Sequence, residues 1–164
     1  MKPRIEIVKS AVWRKTPGVS QLARRAIAAS LAATATTIAD GAEVGVRFVD
    51  DATVRAINAR WRGLDKSTNV LSFPAAPPDR VSTTPMLGDI LLAFETVARE
   101  AAEESKSLAD HTAHLVTHGF LHLLGFDHQD AAEAERMEAL ETMILARLGI
   151  ADPYAATDAV DVCA

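Results

Sequence analysis

The sequence predicts an α+β domain, an α/β sandwich in which a small mixed sheet of about four strands carries about five helices. Three observations lead there. Short segments with alternating or continuous apolar residues read as strands. Longer segments with apolar residues three and four apart read as helices. The two kinds follow in the order strand, helix, strand, helix, strand, strand and then three helices, with no repeat and no interdomain linker. Residues 1–154 are therefore expected to form one domain, large enough to bury its own core.

Arg4 to Lys9 alternates Ile5 and Ile7 with Glu6 and reads as the first strand. Trp13 opens a connection that ends at Pro17-Gly18. From Val19 to about Thr34 the spacing is helical, with Leu22, Ala26, Ala29 and Ala33 on one side. Val44, Val46 and Phe48 mark a second strand over Glu43 to Val49. Asp50-Asp51 caps a helix whose apolar face is expected to be Val54, Ile57 and Trp61. A polar, glycine-bent stretch then leads into a strand over Val70 to Phe73. The proline-rich residues 74–87 read as a mobile loop. Leu87 to Ala93 is a near-continuous apolar run, the signature of a buried strand. Helices follow at Thr96 to Ser105, Leu108 to Leu124 and Asp130 to Leu148, the last with a core stripe of Met137, Leu140, Ile144 and Leu148 ended by Gly149. The helix at 108–124 is rich in Leu and Val and is expected to pack on the sheet. Residues 155–164 are small and polar and are expected to be a disordered tail.

Apolar residues make up 49% and charged residues 24%, which places the chain among ordinary soluble globular proteins. No apolar run approaches the ~20 residues that span a bilayer, and the start lacks the apolar core of a signal peptide, so neither a membrane nor export is expected. The one cysteine, Cys163, cannot close an intrachain disulfide, which suits a reducing cytoplasm. The net charge of −5 is unevenly spread. Residues 1–66 hold 12 Lys+Arg against 6 Asp+Glu, and residues 67–164 hold 5 against 16. The basic part could face a polyanion while the acidic part points away, or both could be solvated faces.

The chemistry concentrates in residues 118–128, His-Gly-Phe-Leu-His-Leu-Leu-Gly-Phe-Asp-His. His118 and His122 are one helical turn apart and leave the same face. Gly125 can end the helix with positive φ, and His128 can then return to the same point. Three neutral imidazoles so placed form a zinc-binding set with a fourth position open, the pattern of a catalytic site. His114 offers a rival third ligand. A straight helix turns about 40° per four residues, so His114, His118 and His122 would fan apart, and His128 is preferred. His111 and His114 then serve as outer partners or packing residues. Asp127 either orients a ligand histidine or caps the turn, the cap being the simpler role. The spacing is also that of metzincin peptidases, but those place Glu after the first His, and Gly119 cannot act as a base.

The second concentration precedes the third strand. Arg62, just before Gly63, has a fork suited to two phosphate oxygens; a surface ion pair with Asp65 is the competing reading. Arg60 and Lys66 add positive charge beside it.

Three segments together resemble the YbeY family of bacterial metal-dependent endoribonucleases. Residues 118–128 match that family's His-Gly-x-Leu-His-Leu-x-Gly-x-Asp-His signature. The others are Asn58-x-x-Trp61-Arg62-Gly63-x-Asp65-x-x-Thr68-x-Val70-Leu71-Ser72-Phe73-Pro74 and Leu87-Gly88-Asp89-Ile90. The resemblance implies one zinc ion on His118, His122 and His128 and a functional Arg62; beside it Arg60, Lys66 and Ser72 are expected to contact the substrate. It implies cleavage of single-stranded RNA in the 3′-end maturation of 16S rRNA and in ribosome quality control. The partners would be the small ribosomal subunit, its proteins and an assembly GTPase. Trp61, Asn69 and Phe126 replace a usual Tyr, Asp and Tyr, which removes hydrogen-bonding groups near the site. With no Glu beside the ligands in sequence, the base stays open between metal-activated water and attack by the RNA 2′-hydroxyl. A ribosome-assembly module with structural zinc, and a hydrolase of another substrate, are the competing functions.

Overall fold

The structure, a computed structural model, describes residues 2–155. The strands are β1 (Arg4–Lys9), β2 (Glu43–Val49), β3 (Val70–Pro74) and β4 (Met86–Ala93). The helices are α1 (Val19–Thr34), α2 (Asp51–Arg62), α3 (Phe94–Glu103), α4 (Leu108–Leu123) and α5 (Ala131–Arg147). The fold is the expected α+β arrangement. The sheet order is β1-β2-β4-β3. β1, β2 and β4 run parallel, and β3 is antiparallel to β4, pairing Val70 with Leu92 and Pro74 with Gly88.

Alternation decides which face each strand residue serves. Val44, Val46 and Phe48 of β2 and Ile90 and Leu92 of β4 point into the main core, where Ala23, Ala26 and Ile27 of α1 and Val116 and Phe120 of α4 cover them. Leu71, Leu91 and Ala93 point the other way, onto Val54 of α2. α5 packs outside α1 and α4 through Met137 and Ile144 on Leu121. β4 is buried on both faces over most of its length, as its nearly continuous apolar run requires.

Contact between α4 and the sheet depends on a missing side chain. A Cβ on Gly119 would lie 2.9 Å from Ile90 Cγ2 and 3.4 Å from Val70 Cγ2. Only glycine lets the helix axis come this near, and that seats the histidine-bearing helix against β3 and β4.

The starts of α2, α4 and α5 are capped by their own side chains, which satisfies amides that have no partner within the helix, while α1 starts at Gly18 without a side-chain cap. Asp50 accepts from the Thr53 amide at 2.8 Å, Ser107 from Asp110 at 3.0 Å, and Asp130 from Glu133 at 2.8 Å. α3 begins at Phe94, two residues before the expected start, because β4 runs into it directly. Its cap comes from another helix. Asp51 accepts from the Thr96 amide at 3.0 Å and from the Thr96 hydroxyl at 2.9 Å. In return the Asp51 amide donates to Glu95 at 2.8 Å, so α2 and α3 cap each other.

Three expectations need amendment. Trp13 is no mere connector: it sits in a short 3-10 turn (Ala11–Lys15), fully buried, edge-on to Phe48 and Phe94, with its indole N–H on the Val49 carbonyl at 2.8 Å. The stretch 74–87 contains a 3-10 turn (Pro78–Arg80) and is anchored by buried Val81. Trp61 is not part of the buried face of α2. Its ring is 67% exposed, because the last turn of α2 stands over a groove of about 420 Å³ lined by Arg47 and Asp89 as well as by Ile57, Phe73 and Leu91. The tail expectation for 155–164 falls, beyond Ala155, outside the described residues, as does Cys163.

Candidate metal centre and its cleft

α4 places His118 and His122 on one face, with their Nε2 atoms 3.2 Å apart. The helix then stops in a Schellman motif. The Phe126 amide donates to the Leu121 carbonyl and the Gly125 amide to the His122 carbonyl, both at 3.0 Å, with Gly125 at φ 100°. Phe126 also packs with Leu121, the apolar contact that accompanies this stop. Gly125 has a second reason to be glycine: a Cβ would meet the Pro78 ring at 2.8 Å. The turn brings His128 back, its ring centroid 5.0 Å from His122 and 5.6 Å from His118. One ring nitrogen from each of the three lies within 4.8 Å of the others.

Asp127 does what the simpler reading required: its carboxylate accepts from the His128 amide at 2.8 Å and fixes the turn. The rival third ligand, His114, faces elsewhere. Its Nε2 meets the Glu141 carboxylate, with the Tyr154 hydroxyl 3.2 Å away. His111 pairs with Glu100 at 2.9 Å, and Asn69 donates to the same carboxylate oxygen at 3.0 Å.

Glu141 is the residue that sequence reasoning missed. It lies on α5, almost wholly buried, between His114, the His118 Nδ1 atom at 3.0 Å and the Tyr154 hydroxyl at 2.7 Å. Burial pushes its carboxyl up, but hydrogen bonds from His114 and His118 outweigh that and hold it at about 2. Burial beside this carboxylate raises the Tyr154 phenol, which stays protonated and donates. A sequence signal existed: Glu141 falls on the same stripe as Met137 and Ile144, so a charge stands at a core position.

These contacts fit a metal ion. An ionised Glu141 accepts a hydrogen bond from His118 Nδ1–H, which holds the proton there and leaves the Nε2 lone pair free toward the other imidazoles. Burial, and then the neighbouring His118 and His128 rings, lower the pKa of His122 and favour its neutral, ligating form. The donor set is nitrogen only, which suits zinc and related borderline metals.

The three histidines open on a cleft of about 780 Å³. Arg62, Ser72 and Asp127 line it, and Val70, Phe73 and Leu115 form an apolar wall. Arg62 closes α2, and Gly63, at φ 70°, turns the chain away. Buried Asn58 holds the next loop by donating to the Lys66 carbonyl at 2.9 Å. The competing pair for Arg62 does not form, since Asp65 is bound by Arg55 at 2.8 and 3.2 Å. Among the described residues Arg62 has no ion-pair partner. Arg60 and Lys66 do not line the cleft; Arg60 lies over the Trp61 ring, 5.4 Å from its centroid. Trp61 and Asn69, the replacements expected near the site, line it, and so do Pro74 and Tyr154, which were not expected to.

Comparison with known proteins adds an independent line. The model of a family described as endoribonuclease YbeY matches residues 8–149. A protein named endoribonuclease YbeY from Methylocella silvestris is 50% identical over 155 residues, 94% of this chain and 87% of that one. A Rhizobium etli protein of the same name is 62% identical over 117 residues, 71% and 68% of the two chains. The fold is similar to that of a Thermotoga maritima protein solved in solution, with a TM-score of 0.58 at 22% identity, covering 89% of this chain and 92% of that one.

Proposed function

The chain belongs to the YbeY endoribonuclease family, and on that premise we propose that it is a zinc-dependent nuclease of single-stranded RNA. The observation that carries the proposal is the convergence of His118, His122 and His128 on one cleft with an exposed Arg62 that has no ion-pair partner among the described residues. The substrate is the 16S rRNA precursor, cut in the maturation of its 3′ end, and the same cleavage serves ribosome quality control. The setting is the cytoplasm, with the small subunit, its proteins and an assembly GTPase as partners. Among the described residues no helix is long and apolar enough to cross a membrane.

His118, His122 and His128 would hold the ion, and three neutral ligands leave its double charge intact. A zinc ion so bound supplies Lewis-acid polarisation of a phosphoryl oxygen and a lowered pKa for water. Arg62 grips the scissile phosphate and faces the charge that builds on it, an effect worth ~3–4 kcal/mol for a well-placed donor. Glu141 keeps the proton on His118 Nδ1 throughout. Val70, Phe73 and Leu115 keep bulk water from one side of the phosphate, which strengthens the Arg62 interaction. Ser72 lines the cleft within reach of a bound strand. Arg60 and Lys66 stand outside the cleft and attract the strand at longer range.

The test is cleavage of a labelled single-stranded RNA by protein of known zinc content, beside His122→Ala and Arg62→Ala purified identically. Cleavage by wild type, none by His122→Ala, and a loss of about a hundredfold or more with Arg62→Ala at full zinc content are expected. Equal cleavage by all three would point to a contaminating nuclease. Zinc bound without cleavage would favour a non-hydrolytic assembly module.

A further inference from the structure

Trp61 is the most exposed large apolar side chain among the described residues, at 67%, while the chain's other tryptophan, Trp13, is fully buried. The packing of the fold does not call for it there, since the ring belongs to no core cluster. A single exposed apolar residue needs no explanation by itself, but an exposed indole at the mouth of a cleft is the kind of platform on which bases stack. The position narrows what that is. Trp61 lines the cleft of the three histidines and also the adjoining groove, where Arg47, Ile57 and Phe73 are its neighbours. Arg60 and Arg62 flank it in the chain, and the Arg60 guanidinium lies 5.4 Å from its ring centroid. A flat, largely exposed ring with the Arg60 guanidinium over it, opening on the cleft that Arg62 lines, matches a ligand that carries flat rings on an anionic backbone. Asp89 in the groove disfavours a phosphate there, so a base is the part of the ligand that fits beside the ring.

We propose that Trp61 is a base-stacking subsite: an unpaired nucleobase next to the phosphate at Arg62 lies on the indole. In a duplex both faces of each base are covered by neighbours, so only an unpaired base offers a face to the ring. The subsite thus selects single strands by geometry rather than by reading base edges, and tolerates all four bases. It rests on the RNA-nuclease reading and gives that reading its strand selectivity.

The chain has two tryptophans, and Trp13 donates its indole N–H inside the core, so a ligand-induced change in emission reports Trp61. The zinc-loaded protein is titrated with a 2′-O-methyl hexanucleotide and with the same hexanucleotide lacking bases. The intact strand should quench emission, and the abasic strand should bind more weakly without quenching. Trp61→Ala, followed by fluorescence anisotropy of a labelled strand, should weaken the intact strand about tenfold or more and leave the abasic strand unchanged; Trp61→Phe should restore most of the difference. Equal quenching by both strands, or equal affinity of Trp61→Ala and wild type for the intact strand, would overturn the subsite. If the protein cleaves RNA in that case, only the subsite falls and the exposed ring is left to a protein partner. If it neither binds nor cleaves any strand, the nuclease reading falls with it.

Discussion

Glu141 accepts hydrogen bonds through one carboxylate from groups on α4 and on the segment after α5. Glutamine at this position keeps the shape but presents an NH2 where one of those donors now points. Glu141→Gln is expected to lower zinc affinity 10- to 100-fold while the protein stays folded, measured by competition with a chromogenic chelator. Affinity equal to wild type would show that His118 needs no outer partner. His128→Ala should drop zinc content well below one per chain, whereas His114→Ala should keep it near one, read by elemental analysis. The grouping of the three histidines was legible because their spacing implies convergence, whereas Arg62 stood out by its place before a glycine bend. Glu141 showed in sequence only as a charge on a core stripe; its pairing with His118, 23 residues away on another helix, has no local pattern to reveal it.

The helix ends obey the rules that locate them in sequence, with one exception that is informative. Asp50, Ser107 and Asp130 each cap their own helix, whereas α3 borrows Asp51 from α2. Ser107→Ala should cost about 1 kcal/mol. Asp51→Ala should cost more, because it strips two acceptor contacts from Thr96 and loosens the start of α2 with them. Urea unfolding at unchanged m-value measures both, and a larger loss for Ser107→Ala would contradict the shared cap. Sequence could not place the start of α3, since the residue that caps it is distant. It also misplaced Trp61, because helical periodicity reports which side of α2 faces the sheet but not whether apolar sheet lies beneath the last turn. Every strand was legible, for β2 alternates cleanly and β4 is apolar but for Gly88 and Asp89.

For the molecule as a whole, metal and protons act as opposing ligands of the same fold. A metal that binds only the folded chain at about 1,000 times its dissociation constant adds about 4 kcal/mol. Chelation should therefore lower the melting temperature of wild type by roughly 10 °C and leave His128→Ala almost unmoved. In the metal-free protein, Glu141 and Glu100 both titrate below their ordinary value of 4.5 despite burial, held down by His114 and His118 and by His111 and Asn69 respectively. A carboxyl lowered on folding stabilises above its unfolded pKa and loses that contribution as pH falls through its folded one. The urea midpoint of metal-free protein should thus begin to decline near pH 4.5 and continue falling toward pH 2. A midpoint flat to pH 3 would contradict these hydrogen bonds.

Gly119 closes a route that the ligand spacing leaves open. A protein engineer wishing to turn this scaffold into a peptidase would write one substitution, Gly119→Glu, to install the missing base. The position points at Ile90 and Val70, so the new carboxylate would be driven into the sheet, away from substrate, and would pry α4 loose on the way. Conversion would require rebuilding the floor under the helix first. The two catalytic traditions that share this histidine spacing are therefore separated by a packing barrier, and no single codon change crosses it.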